Sequence, residues 1–248
     1  RGRGAGVPRA HAVNGVAVTV PTELFSLGAD EHAVAFFTCR ERPGRPAAAP
    51  RVWSAVTALA EAGWRLSVSA MFTGGGAPEA YRTGFAHDVD LVGAFEAPGL
   101  AAAFDGIAAL EAAGWDELFV SSWLVGPREF QPVPGTAGRD PDAPWAFFAL
   151  WEWNDAWQAA TPQERAEYDR ECDVAFAADV DSGISIAGRH RLDAGSSWHH
   201  LGIWEVPDLA RLDAAMAEHE RVADFAFTTS RHYIGRRTDL AAVLGVDS

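Results

Sequence analysis

A gap-free internal match at a constant offset of 109 residues constrains this chain more than any other feature. Residues 93–128 read GAFEAPGLAAAFDGIAALEAAGWDELFVSSWLVGPR, and residues 202–237 read GIWEVPDLARLDAAMAEHERVADFAFTTSRHYIGRR. Superposed, they pair Gly93 with Gly202, Glu96 with Glu205, Pro98 with Pro207, Leu100 with Leu209, Gly126 with Gly235 and Arg128 with Arg237, while Phe95 and Trp204 keep an aromatic in step. Richness in alanine does not generate matches of glycine, glutamate, proline and arginine, so the chain reads as one unit used twice.

Hydrophobic periodicity assigns both copies the same order of elements. In the first, residues 32–39 (HAVAFFTC) are a β-rich apolar run, 50–64 have helical spacing, and 66–72 (LSVSAMF) read as a second strand. Residues 89–95 alternate as a third strand, 98–113 are helical with proline near the start, and 118–125 are the fourth strand. The second copy repeats this with strand 145–151, helix 162–178, strands 183–191 and 198–205, helix 207–221 and strand 225–234. The predicted fold class is α+β: two tandem ferredoxin-like βαββαβ units, each an antiparallel sheet with both helices on one face. The bare faces would cover each other and form one α/β barrel around a cavity. Residues 1–30 are expected to be an N-terminal arm, 31–134 the first half, 135–144 a linker, 145–240 the second half and 241–248 a tail.

Net charge is −14, which argues against nucleic acid or an anionic membrane surface as partner. All 20 basic residues are arginine, which removes Schiff-base and phosphate-loop lysine chemistry. Cys39 and Cys172 are too few for a multi-thiolate metal site or a disulfide framework. No apolar run approaches the roughly 20 residues of a membrane span. The first thirty residues lack the apolar core of a signal peptide. A cytoplasmic protein with a small-molecule substrate is expected, and exposed sheet edges leave room for a homo-oligomer.

Strand alternation selects candidate site residues. Trp198, His200, Gly202 and Trp204 share one face of their strand, and His199, Leu201, Ile203 and Glu205 share the other. The aliphatic pair suits packing beneath helices, so the tryptophan face is expected to line the barrel, with His200 as general base or axial metal ligand. His190 and Arg191 end a neighbouring strand. In the last strand Arg231 and Tyr233 share a face opposite His232. His190 and His232 are rival histidines, and Arg231 with Tyr233 would supply hydrogen-bond donors; a core histidine bonded to a carbonyl is the bland alternative for each. Trp151, Trp153 and Trp157 fall within seven residues, either as a rim gripping a flat aromatic ligand or as a packing seam. Parity argues against a metal triad of His190, His200 and Glu205, and no dinucleotide fingerprint, zinc-protease motif or nucleophile elbow is present.

With these elements in place, the chain resembles the tandem dimeric α/β-barrel superfamily, which includes chlorite dismutase-like and dye-decolorising haem proteins and antibiotic-type monooxygenases. The local match is Trp157-Gln-Ala-Ala-Thr-Pro-Gln-Glu164-Arg165 running into a helix. The resemblance implies an axial histidine seven residues beyond the arginine, where this chain has Cys172. Cys172 is then a thiolate haem ligand, or a buried thiol beside a haem held by another residue such as His200, or the cavity holds no metal. Three functions follow: a haem-dependent oxidoreductase on a bulky aromatic or hydrophobic substrate, a cofactor-free monooxygenase or cyclase of aromatic polyketide-type metabolism, or a non-catalytic ligand-binding protein.

Overall fold

The computed structural model describes residues 11–13, 16–18, 30–44, 47–133, 144–222 and 224–246. Most of the expected N-terminal arm and linker lie outside the described residues. Strands β1 (His11–Val13) and β2 (Val16–Val18) pair with each other. The main body begins with β3 (Ala33–Glu41), α1 (Ala49–Glu61), α2 (Val68–Thr73), β4 (Glu79–Arg82), β5 (Leu91–Ala97), α3 (Leu100–Ala113), α4 (Trp115–Leu118) and β6 (Phe119–Phe130). It continues with β7 (Trp145–Trp153), α5 (Asp155–Ala159), α6 (Pro162–Ser182), β8 (Ser185–Arg191), β9 (His200–Val206), α7 (Leu209–Arg221), α8 (Asp224–Phe227), β10 (Thr228–Asp239) and α9 (Leu240–Leu244).

Eight strands pair antiparallel in the closed order β10-β4-β5-β3-β6-β8-β9-β7, with β7 returning to β10. The four N-terminal strands and the four C-terminal strands thus stay contiguous. The segment expected as a strand over 66–72 is instead the short helix α2. Ser67 caps it by accepting the Ala70 N–H at 3.0 Å, and Gly74 ends it at φ 81°. The strand of that copy is β4, further on.

Closure assigns each strand an inner and an outer face, and this reverses the expected orientation. The barrel interior is a dry core that includes Phe36, Val92, Phe148, Leu201, Ile203 and Tyr233. Leu201 and Ile203 therefore point into the barrel, and Trp204 points out, under the helices. An eight-stranded barrel is just wide enough to be filled by its own side chains, and these apolar residues fill much of the interior here. Each fully buried large apolar side chain contributes about 1.5–3 kcal/mol.

The matched glutamates and arginines of the two copies meet inside this barrel. Buried Glu96 is bonded by Arg128 and, at 2.8 Å, by Arg65, and His190 Nε2 lies 3.3 Å from it. In the second copy Arg237 donates to Glu205 at 2.7 Å, and so does the Ser69 hydroxyl at 2.5 Å. Burial alone would raise the Glu96 carboxyl, but the hydrogen bond and charge of His190 and the Arg128 guanidinium hold it at about 2.

Two helical layers cover the outside. Beneath α1 and α3, an aromatic cluster of Phe37, Phe95, Trp115 and Trp123 fills the space against the sheet. Beneath α6 and α7, a cluster that includes Val180, Ile184, Trp204 and Leu212 leaves part of the space open. No helix among the described residues is long and apolar enough to cross a membrane.

Candidate functional site

The opening beneath α6 is a cavity of about 760 Å³ between that helix and the outer faces of β8, β9, β7 and β10. Strand register explains why it exists. Arg189, Gly202, Ala149 and His232 lie side by side on those four strands, and all four line the cavity. Two small residues at the centre make a slot, with Arg189 at one end and His232 at the other. Three strand spacings separate those ends, about 14 Å. Trp204 and Phe147 stand on one side of the slot and Trp151 on the other.

The corresponding row of the first copy is blocked. There Gly93 faces Phe37, and Phe37 faces Trp123. A Cβ on Gly93 would come within 2.4 Å of the Phe37 ring, whereas a Cβ on Gly202 would find nothing closer than Trp151 at 3.3 Å. The second copy carries Ala149 in place of the phenylalanine and, at the 109-residue offset from Trp123, His232. The cavity therefore lies where Ala149 and His232 stand at the register positions that Phe37 and Trp123 occupy beside Gly93.

The segment around Trp157 and Arg165 builds the rim. Thr161 and Glu164 form a reciprocal capping box that starts α6 behind Pro162. Arg165 then reaches back to the Trp157 carbonyl through Nε at 3.1 Å and Nη2 at 2.8 Å, with its guanidinium 5.0 Å from the Trp157 ring centre. Trp157 is stacked on Trp153 at 4.1 Å and 15°, and Tyr168 meets both rings edge-on. The tryptophan, glutamate and arginine of this motif thus share one task, which is to hold an aromatic wall at the cavity mouth.

From α6, Asp169, Cys172, Asp173 and Phe176 line the roof, spaced so that they share one helix face. Burial raises the Asp169 carboxyl above its usual range, against the pull of Arg189. Deeper in, His219 of α7 lines the cavity, with its Nε2 2.9 Å from Asp179 Oδ2, both side chains almost fully buried.

Of the residues expected from sequence, Trp151, Trp153, Trp157, Trp204, His232 and Cys172 come together at this cavity. His200 shares their face of the sheet but stands behind the wall: Trp151 is stacked on it at 5.1 Å, and its Nδ1 lies 3.0 Å from Glu129 Oε2. The same Glu129 oxygen accepts from Arg189 Nε at 2.8 Å. Burial would raise this carboxyl, but the His200 hydrogen bond and the Arg189 charge bring it to about 2. The other expectations are corrected by the barrel geometry. His190 is fully buried in the interior on Glu96, and Tyr233 and Trp198 pack with the interior core. Arg231 sits at the barrel end, pairing with Asp88 at 2.9 Å. Sequence reasoning missed Arg189, Glu129, Asp179 and His219. A β-bulge between Ile186 and Gly188 shifts the parity of β8, which is why Arg189, and not His190, reaches the outer face.

No protein-family model matches this chain, and no curated protein matches it either. Solved structures do. A structure described as a candidate chlorite dismutase superposes with a TM-score of 0.66 at 13% identity, covering 87% of this chain and 99% of the other. A chlorite dismutase variant from Candidatus Nitrospira defluvii gives a TM-score of 0.63 at 13% identity, covering 91% and 98%. The enzyme from the same organism in complex with imidazole also gives 0.63 at 13% identity, covering 90% and 97%. This chain accordingly has the fold of the chlorite dismutase-like structures.

Proposed function

We propose that this chain is a haem-binding oxidoreductase acting on a bulky aromatic or hydrophobic small molecule, with its site in the slot between α6 and the outer face of β8, β9, β7 and β10. The observation that carries the reading is the slot itself: a flat floor of Gly202 and Ala149 under a cysteine-bearing helix, walled by aromatic rings. Its 760 Å³ lies within the usual range of ligand pockets, and its lining suits a planar, largely apolar group. The chlorite dismutase-like fold supports the reading, as does the reading of the two sets of four strands as tandem ferredoxin-like units.

The residues present fit a haem in one specific way. Cys172 is buried on α6 and lines the roof, so its sulfur would hold the iron in place of the histidine that the resemblance implies. His200 is turned to Glu129 and does not line the slot. A thiolate-held haem supplies one-electron chemistry and favours oxygen-oxygen cleavage. Arg189, anchored by Glu129, brings a fixed cation to one end. Trp151, Trp153 and Trp157 exclude water from the mouth, and burial makes the Asp169 carboxyl a weaker acid than an ordinary one. Haemin titration tests the reading: a Soret band that saturates at one haem per chain is expected, and its absence overturns the haem assignment. A second reading, cofactor-free oxygenation or cyclisation in the same slot, is favoured by the missing histidine, and tight binding of an aromatic compound by a chain that takes no haem would select it.

A further inference from the structure

The barrel closes between β4 and β10 on one short ladder. β4 pairs with β10 only between residues 79–82 and 236–239, and beyond Arg82 the chain leaves the ladder as the loop 83–90. Where a strand would continue, a histidine stands in. The Ile234 N–H of β10 donates to His87 Nε2 at 3.0 Å, and the His87 ring packs 5.1 Å from Tyr233. The loop is also held by Asp88, whose carboxylate takes Arg231 at 2.9 Å while its carbonyl accepts Arg40 Nε at 2.6 Å. Val89 packs on the barrel's interior core. The loop therefore plugs one end of the barrel.

A ring nitrogen that accepts an N–H carries no proton, so this contact requires neutral His87 with its hydrogen on Nδ1. Imidazolium has two donors and no acceptor; it would set one N–H against another and leave the Ile234 amide without a partner. We propose that His87 is an acid-sensitive clasp: its neutral imidazole ties the 83–90 loop to β10 over the barrel end, and its protonation releases the loop. The charged groups facing it are Arg231 and Asp88, with Arg40 behind Asp88. Burial, aided by Arg231 and opposed by Asp88, lowers the His87 value in the closed state, whereas in an opened loop it would return to about 6.5. The closing free energy is then complete above about pH 6.5 and is lost as pH falls through the lowered closed-state value. This device is independent of any ligand in the slot.

Backbone amide exchange by NMR on the whole chain, corrected for the intrinsic pH dependence of exchange, tests it. Protection of the Ile234 amide should fall severalfold between about pH 7.5 and pH 5, because protonation removes its acceptor while the Asp88 and Val89 contacts do not bond that amide. His87→Gln supplies an acceptor that does not titrate, and its protection should stay flat. Unchanged wild-type protection over that range, or the same fall in His87→Gln, overturns the proposal. The tautomer of wild-type His87 gives a check that needs no variant: Nδ1–H at neutral pH is expected, and Nε2–H refutes it.

Discussion

Arg128→Met removes one guanidinium from the buried Glu96 carboxylate and leaves it with Arg65 and His190. Glu96 is inaccessible to solvent, so no water can replace the lost guanidinium. Its carboxyl is displaced from 4.5 to about 2 by His190 and Arg128 together, and at about 1.4 kcal/mol per pH unit this corresponds to roughly 3 kcal/mol of native-state stabilisation. His190 remains in the variant, so removing Arg128 takes away part of this, about 1–3 kcal/mol. For a chain of this length the loss lowers Tm by about 2–12 °C at neutral pH. A carboxyl held below its ordinary value stabilises above that value and ceases to do so as pH falls through the folded one, so the gap between wild type and Arg128→Met should narrow from pH 7 to pH 3. Replacing Glu96 and Arg128 together with methionine should cost less than Arg128→Met alone, since the fully buried charges leave together and only the partly exposed Arg65 and Asp30 lose a partner. Thermal unfolding followed by circular dichroism measures all three. A loss under about 1 kcal/mol at pH 7, or a gap that does not change with pH, would refute the reasoning.

Other substitutions probe the fold and the slot. Gly126→Ala would put a Cβ 1.8 Å from the Arg191 carbonyl oxygen, across the contact between β6 and β8; overpacking against backbone should cost about 1–3 kcal/mol or more, read as a lowered urea midpoint. Gly202→Ala would set its Cβ 3.3 Å from the Trp151 ring, a tight contact that the ring can relieve by a small shift, and should fold with a modest loss of stability while weakening ligand binding, measured by titration. Cys172→Ala should shift the Soret band of the haem-loaded chain without changing the far-ultraviolet circular dichroism, and an identical Soret spectrum would exclude Cys172 as ligand.

Much of the fold was legible in the 109-residue match, because the matched residues carry its internal contacts. Glu96 and Glu205, Arg128 and Arg237 are the buried ion pairs of the two copies. The site was legible in composition but not in orientation. Alternation along β9 separates His200, Gly202 and Trp204 from Leu201 and Ile203, yet a strand buried on both sides offers no polar face to mark the outside. Only closure of the barrel decides that aliphatic residues fill the interior and the tryptophans face the helices. His219 and Asp179 were invisible because they meet across two helices forty residues apart. Arg189 was hidden by the bulge at Gly188. The Ala149 position held a readable signal that only register supplies, since β3 and β7 lie outside the matched segments and their offset differs from 109.

Ala149→Phe restores to the second copy the ring that Phe37 provides in the first, and so tests the slot most directly. Haemin titration of wild type and Ala149→Phe, with thermal melts of both, should give one-to-one binding in the wild type and none in the variant, at equal or higher stability. Haem bound equally by both chains would contradict the account, because the ligand would then lie somewhere other than over Gly202 and Ala149.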